Sequence, residues 1–276
     1  MTGTWRVVRA EGIRLVTSRA AWVAVLLVLL LSAARTGLEI SIIDNQNNGL
    51  DRGRGWAPLV DGLRAGLTLS TLLLIASAAK GLAGDLESGL VRLSVTRSTS
   101  RAALVFGRFL IGIPALLTLV LAATGAAFVT AWLQLDFGPL AEDGYEMFSA
   151  MEVGTELLQA WLGVLPAMLS AWAFGLLVGA CSRSAAGAVA TSLGLLITFD
   201  LLKDSLGPLA RFSFAYHAPT LVDSQESGLL GVSQLARGFS DGGVSESMLR
   251  MAYTLPWPQT LLLVLLAALV VRKRAL

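Results

Sequence analysis

The segment LLTLVLAATGAAFVTAW, residues 116–132, decides the class of fold. It contains no charged residue, and about 20 residues of this kind in a helix match the thickness of the hydrocarbon core of a bilayer. Similar runs occur elsewhere in the chain, at 23–31, 67–76, 162–177, 188–198 and 261–271. The pattern predicts an integral membrane protein that crosses the bilayer six times.

The composition supports this class. Of the 276 residues, 55% are apolar and 14% are charged, and the mean hydropathy is +0.70, which is far from a soluble chain. The single cysteine, Cys181, excludes a disulfide framework within the chain and argues against a structural zinc site. The single histidine, His217, leaves most enzyme classes without their usual base or metal ligand. We therefore expect a chain that is not an enzyme and that holds no cofactor or metal itself.

The boundaries follow from the hydropathy pattern. The expected spans are 20–43, 58–79, 104–133, 157–180, 185–202 and 255–271, with a loop at 80–103 and a longer polar region at 203–254. Residues 1–19 are too polar to span. Projected as a helix, they place Trp5 and Leu15 on one face and Arg6 and Arg14 on the other, which favours a helix lying in the membrane interface. A cleaved signal peptide ending near 32–34 is the alternative, but the long arginine-rich lead favours a retained anchor.

The charges are distributed unequally between the two sides of the membrane. Six spans put both termini on one side, and that side carries 13 of the 21 basic residues but only three of the 19 acidic ones. The opposite loop at 134–156 has six acidic residues and no lysine or arginine. Because cytoplasmic loops retain lysine and arginine, both termini are expected to be cytoplasmic, in a protein of the cytoplasmic membrane.

Several polar residues lie close to the expected outer ends of the spans. Arg35 and Glu39 have helical i, i+4 spacing and can pair. We expect Asp61 and Arg64 among the lipid headgroups, with a role in a substrate path as the minority interpretation. The pair Asp200 and Lys203 is likewise expected mainly at the interface. The membrane interior is then short of the ionisable residues that a proton or ion relay uses.

Pairs of glycines four residues apart permit close approach of helices. They occur at 62–66 and 175–179. We expect both to pack helices within one subunit rather than between subunits. In the third span, Pro114 removes one backbone hydrogen bond and predicts a local kink.

The loop at 80–103 is the most informative polar segment. Residues 85–95 can form a short amphipathic helix, with leucines on one face and Glu87, Ser88 and Arg92 on the other. One interpretation is a solvated cytoplasmic loop. The other is a docking surface that transmits the movement of a partner into the membrane.

The chain resembles the transmembrane subunits of ABC transporters of the type-two exporter class, which include the permease of the nitrous-oxide-reductase maturation transporter. That family has an amphipathic N-terminal "elbow" helix carrying a glutamate, two spans, a Glu-x-x-Gly-Thr-Leu loop that ends in Ser-Arg, and a Gly-Lys at the start of span three. The corresponding features here are Glu11, the loop core at 87–93, its end at 99–101, and Gly107 with Arg108. Threonine or serine replaces the usual proline before the Ser-Arg pair, and the loop core is one residue shorter.

The resemblance implies an all-α fold of six spans with an N-terminal elbow helix, a cytoplasmic coupling helix and short extracytoplasmic helices before the last span. It also implies a complex of two permeases, as a homodimer or a related heterodimer, with two ATPase subunits that bind ATP and Mg²⁺. The implied coupling residues are Glu11, Glu87, Gly89, Leu90, Arg92, Arg97 and Arg101. The chain itself lacks a phosphate-binding loop, because the nearest match at 107–112 continues as Ile113 and Pro114 within a span.

The region at 203–254 is long for a connector. Residues 225–237 and 244–253 can form amphipathic surface helices, which could gate an exit or bind an extracytoplasmic partner. Residues 238–242 match Gly-x-Ser-x-Gly, the nucleophile elbow of hydrolases, but about 50 residues cannot build the sheet that this motif requires.

We therefore expect the permease subunit of an ATP-driven exporter. One alternative is an ATP-driven membrane subunit that acts mechanically on an extracytoplasmic partner, and another is a stand-alone channel or secondary transporter. The expected partners are the ATPase, a second permease and the lipid bilayer, without nucleic acid. Hydroxyl residues within the spans are candidates for a substrate path: Thr68, Thr71, Thr118 and Thr198.

Overall fold

The computed structural model describes residues 3–46, 50–88, 100–142, 144–222, 228–239 and 242–273. It is 81% helical, and six helices in this part of the chain are long and apolar enough to cross a membrane. The protein is therefore an all-α, multi-pass membrane protein, as the apolar runs predict. The helices are α1 (Gly3–Thr17), α2 (Arg19–Gln46), α3 (Trp56–Glu87), α4 (Arg101–Trp132), α5 (Ala150–Cys181), α6 (Ala185–Leu202), α7 (Phe214–His217), α8 (Gly228–Leu235), α9 (Glu246–Thr254) and α10 (Pro256–Lys273), with a 3-10 helix at Gly207–Phe212.

Helix α3 lies at the centre of the bundle. It packs against α2, α4, α5 and α6, while α10 packs against α5 and α4. Its side chains Leu67, Ile75 and Leu82 are fully buried. Helices α2 and α6 lie at the periphery and expose many of their apolar side chains, which suits contact with lipid.

Glycines bring α5 against α3 within the one chain. A β-carbon on Gly175 would lie 2.6 Å from the carbonyl oxygen of Ile75, and one on Gly179 would lie 2.6 Å from that of Ala79. These atoms belong to the backbone of α3 and cannot rotate away. The two glycines thus let two helices approach closely in the membrane, as small residues four apart commonly do.

Gly179→Ala is expected to lower stability by about 1–3 kcal/mol, because the added methyl group overpacks this contact. Gly125→Ala in α4 is the matched control, since nothing lies within 4 Å of its added β-carbon. Alanine is also the better helix former, so this control should leave stability unchanged or slightly raised. Unfolding in mixed detergent measures both variants. Equal stability of Gly179→Ala and Gly125→Ala would contradict the close packing of α5 on α3.

Three spanning helices extend further than the hydropathy pattern suggests. Helix α3 continues eight residues past Ala79 to Glu87, because Leu82 and Ala83 on its inner face remain fully buried despite the polar residues around them. Helix α4 starts at Arg101, where the side chain of Ser100 accepts a hydrogen bond from the third helical N–H group. Helix α5 starts at Ala150, behind a reciprocal capping box between Ser149 and Glu152.

A small antiparallel sheet joins two connections between spans, and the hydropathy pattern does not predict it. Its strands are β1 (Leu50–Arg52), β2 (Leu140–Glu142) and β3 (Tyr145–Phe148), in the order β1-β2-β3. Asp136, which follows α4, ties the two connections together, because its carboxylate accepts a hydrogen bond from the N–H of Gly53 after β1 at 3.0 Å. Strands of three or four residues are too short to show a clear alternation of apolar and polar residues.

Candidate functional site

The bundle has two ends with different polar chemistry. At the proximal end α2, α4 and α6 begin and α3, α5 and α10 finish, and α1 lies beside it. At the distal end lie the sheet and the helices α7, α8 and α9, which connect α6 to α10. Each end holds charged side chains that are buried inside the protein.

The proximal ion cluster consists of Glu11, Arg14, Asp85 and Arg108. Arg108 in α4 donates from Nε and Nη2 to Oε1 of Glu11 in α1, at 3.3 and 3.0 Å. Its Nη2 also forms an ion pair with Asp85 near the end of α3. Arg14 lies 3.5 Å from the other oxygen of Asp85. One guanidinium group thus connects three helices that are separate in sequence.

Close packing of α1 on α4 positions this cluster. Gly107 faces Val7, and a β-carbon on Gly107 would lie only 2.7 Å from the side chain of Val7. The absence of a side chain there lets α1 lie against the first turns of α4. One residue later, Arg108 points inward and only 4% of its side chain is exposed. Burial of a guanidinium group requires opposite charges, which Glu11 and Asp85 supply.

Two further contacts join helices at the proximal end. The carboxylate of Glu87, at the end of α3, accepts a hydrogen bond of 2.8 Å from the N–H of Ala185, the first residue of α6. Arg101, at the start of α4, donates to the carbonyl oxygen of Arg272 near the end of α10 at 3.1 Å. The expected coupling residues Glu11, Glu87 and Arg101 therefore each link two helices. The others lie outside the described residues: Gly89, Leu90, Arg92 and Arg97.

The distal ion network attaches α8 to α3. Asp61 in α3 is 3% exposed, and it accepts hydrogen bonds from Ser233 at 2.9 Å and from Arg64 at 3.0 Å. Arg237, just after α8, forms an ion pair with the same carboxylate. The expectation that Asp61 lies among lipid headgroups is wrong, because the folded-back region around α8 covers this carboxylate with protein.

Helix α2 takes part in the same network. Arg237 lies 3.3 Å from the carboxylate of Glu39, and Glu39 also pairs with Arg35, as their spacing predicts. The distal ion network therefore contains two largely buried carboxylates, those of Glu39 and Asp61, held by arginines from three segments. It fixes the start of α3, the end of α2 and α8 relative to one another.

A second buried pair lies at the distal end of α6. Lys203 and Asp200 are 2% and 3% exposed, and Lys203 Nζ lies 2.6 Å from the Asp200 carboxylate. The carboxylate also accepts hydrogen bonds from the hydroxyl of Thr220 at 2.6 Å and from the N–H of Val222 at 2.8 Å. The pair lies at the end of α6, and residues 220–222 fold over it, so it is buried within the protein. Thr68 of α3 joins the group by donating to the Thr220 carbonyl oxygen at 3.2 Å.

The four candidate path residues do not line one channel within the chain. Thr71 is buried and donates to the backbone of its own helix, and Thr68 is used in the distal contact above. Thr118 and Thr198 are exposed on the outer surfaces of α4 and α6. A path that used all four would need a surface beyond this one chain.

The expected region at 203–254 contains short helices. Helix α8 lies within the expected helix at 225–237. Helix α9 begins two residues later than the expected helix at 244–253. His217 donates to the carbonyl oxygen of Arg211 at 2.8 Å, and burial lowers the pKa of its imidazole. The adjacent cavity is about 30 Å³, room for a water molecule but not for an organic substrate. Ser240 of the Gly-x-Ser-x-Gly match lies outside the described residues.

Sequence reasoning missed several members of these clusters. Asp85 lies in a polar segment that predicts a loop, and Ser233, Arg237 and Thr220 carry no local signal. The carboxylates or guanidinium groups that they contact lie 20 to 176 residues away along the chain. The family resemblance does indicate Glu11 and Arg108, which the structure brings together.

No protein-family model matches the chain, and no curated protein matches it. Function is therefore inferred from the chemistry at the two ends of the bundle. Within the described part of the chain, no three His, Cys, Asp or Glu side chains come together in a way that could hold a metal ion.

Proposed function

We propose that the chain is the membrane-spanning subunit of an ATP-driven exporter of the ABC class, driven by a separate ATPase that docks at the proximal end. One observation carries this proposal. The proximal ion cluster, through Arg108, connects α1, α3 and α4 beside the segment at 80–103, which the family resemblance assigns to coupling. A soluble partner that moves this loop would move buried, charged contacts rather than a loosely attached segment.

The proposed mechanism is alternating access. Closure of the ATPase dimer pushes the loop, and the push reaches α3 and α4 directly, because they flank the loop. Glu11 passes the movement to α1 through Arg108, and Glu87 passes it to α6 through Ala185. The spans then repack around a path between two copies of the chain. ATP and Mg²⁺ bind to the partner, since this chain has no phosphate-binding loop.

The proposed orientation places the proximal end in the cytoplasm. The excess of lysine and arginine on that side supports it, in a protein of the cytoplasmic membrane. The distal sheet and α7 to α9 are then extracytoplasmic. An ATPase supplied with cytoplasmic ATP could reach only the proximal end.

A second candidate function is mechanical action on an extracytoplasmic partner. It is supported by the firm attachment of α8 to α3, because Asp61 accepts hydrogen bonds from Ser233 and Arg237. An open groove of about 620 Å³, lined in part by Glu152, Gln234 and Ser247, lies next to α8 and could receive such a partner. Movement of α3 would reach this groove through buried contacts.

A stand-alone transporter is the third candidate. Buried carboxylates such as Asp61 and Asp200 are the groups that proton-coupled transporters use, and the hydropathy pattern does not predict them inside the protein. However, each is paired with a basic side chain and lies within about two turns of a helix end. This placement supports a role in joining segments more than a relay across the membrane.

Gentle purification from the native membrane tests the proposal. The wild-type chain is expected to retain a soluble ATPase at one copy per permease. Glu87→Arg and Arg92→Glu should lose it, because both alter the charge at the proposed docking loop. Glu246→Arg, on an exposed distal glutamate, is the matched control and should retain it.

The other outcomes separate the candidates. Retention of an additional extracytoplasmic protein would favour mechanical action. If the wild-type chain purified without any ATPase, the exporter proposal would be wrong and the stand-alone transporter would take its place.

A further inference from the structure

Helix α1 presents an unusual outer surface. Its inner side, with Val7 and Glu11, packs against α4. On the outer side, Trp5 is 54% exposed, Ile13 58% and Val16 65%. Apolar side chains this exposed are unfavourable in water, so a non-aqueous surface is expected to cover them.

The neighbouring helix indicates what that surface is. Trp22, at the start of α2, donates from its indole N–H to the carbonyl oxygen of Val16 at 2.9 Å, which fixes the angle between α1 and α2. Trp22, Val23 and Leu26 are themselves exposed on a spanning helix and therefore face lipid. The apolar side chains of α1 continue this lipid-facing surface, so α1 lies along the membrane interface.

The same surface carries exposed basic side chains. Arg6 and Arg9 on α1 are exposed, as is Arg19 at the start of α2. The one carboxylate of α1, Glu11, is directed inward to Arg108. An exposed row of arginines beside inserted apolar side chains is complementary to anionic headgroups and not to zwitterionic ones.

We propose that this surface, formed by α1 and Arg19, is a binding site for anionic phospholipid, with Arg6 and Arg9 contacting the phosphates and Trp5, Ile13 and Val16 inserted at the acyl boundary. Arginine suits phosphate because its planar guanidinium group donates two parallel hydrogen bonds. The site does not depend on the proposed transport function. Because Glu11 links α1 to Arg108, bound lipid would also hold the proximal ion cluster in place.

The test uses the full-length chain in a mild detergent and native mass spectrometry. Wild type is titrated with phosphatidylglycerol and, separately, with phosphatidylcholine. We expect preferential binding of phosphatidylglycerol, which 0.5 M salt weakens. Arg6→Gln/Arg9→Gln should bind phosphatidylglycerol roughly tenfold more weakly or worse, since each basic residue near an anionic surface contributes about fivefold.

Two matched variants keep the test decisive. Arg6→Lys/Arg9→Lys preserves the charge and should keep most of the preference for phosphatidylglycerol. Arg52→Gln/Arg250→Gln removes two exposed arginines from the distal end and should bind like wild type. Equal affinity of wild type for both lipids, or equal loss in the proximal and distal glutamine variants, would overturn the proposal. So would unchanged lipid binding in Arg6→Gln/Arg9→Gln combined with loss of a soluble partner, because the surface would then serve that partner.

Discussion

Arg108→Met is expected to lower the free energy of unfolding by about 3–5 kcal/mol, the usual cost of removing one partner from a buried ion pair. The methionine keeps the bulk of the side chain but removes the buried cation between the carboxylates of Glu11 and Asp85, which then have only the largely exposed Arg14 beside them among the contacts of this cluster. Only 4% of the Arg108 side chain is exposed, so water cannot replace it. Unfolding in mixed detergent, followed by tryptophan fluorescence, measures the change.

Arg108→Met should also weaken the coupling between the permease and its ATPase. Where an ATPase partner is retained, Arg108→Met should leave it bound but reduce the dependence of its hydrolysis on the permease, because α1, α3 and α4 no longer move together. Arg108→Lys should fall between wild type and methionine, since an ammonium group lacks the fork that reaches both carboxylates.

Controls separate the cluster from a general effect of losing an arginine. Arg183→Met changes an exposed arginine at the same end and should alter stability by less than about 0.5 kcal/mol. Adding Glu11→Gln and Asp85→Asn to Arg108→Met should recover part of the loss, because the uncompensated charges disappear. Stability of Arg108→Met equal to that of Arg183→Met would show that the buried cluster contributes nothing.

The sequence predicts the spanning helices because their signal is local. A run such as 116–132 has no charged residue to place in lipid, so its helical, membrane-spanning state follows from its own composition. The pairing of Arg35 with Glu39 is also local, since they are four residues apart on one helix. The glycines at 175–179 predict close packing, and the structure places them against α3.

The clusters at the two ends could not be predicted in the same way. Arg108 and Glu11 are 97 residues apart, and Arg237 and Asp61 are 176 apart. Nothing in either local segment indicates its partner. Hydropathy also assigned Asp61 and Asp200 to the surface, because it scores each residue alone and does not register the segments at 220–222 and around α8 that cover them.

The predicted end of α3 at residue 79 falls eight residues too early for the same reason. Lys80, Asp85 and Glu87 make the segment after residue 79 too polar to be assigned to a span. In the structure, Leu82 and Ala83 face the bundle, while Asp85 and Glu87 pair with groups on neighbouring helices. Two of the polar residues that ended the predicted span, Asp85 and Glu87, thus join helices at the proximal end.

Lys203→Met is expected to lower the free energy of unfolding by about 3–5 kcal/mol, because it leaves the buried carboxylate of Asp200 without the ammonium group that neutralises it. Thr220 and Val222 still donate hydrogen bonds to that carboxylate, but they supply no charge. The loss should be concentrated at the distal end, where residues 220–222 would detach from α6 and become sensitive to added protease.

A double-mutant cycle completes this prediction. Asp200→Asn alone leaves the ammonium group of Lys203 buried without a counter-ion, so it should also destabilise the protein. The double variant Lys203→Met/Asp200→Asn should be more stable than the sum of the two single losses implies, by about 0.5–3 kcal/mol, because neither charge is then left unpaired. Lys80→Met, on an exposed lysine of α3, is the control and should behave like wild type. Strictly additive single losses would mean that the two side chains do not stabilise each other, and that hydrogen bonds alone hold residues 220–222 against α6.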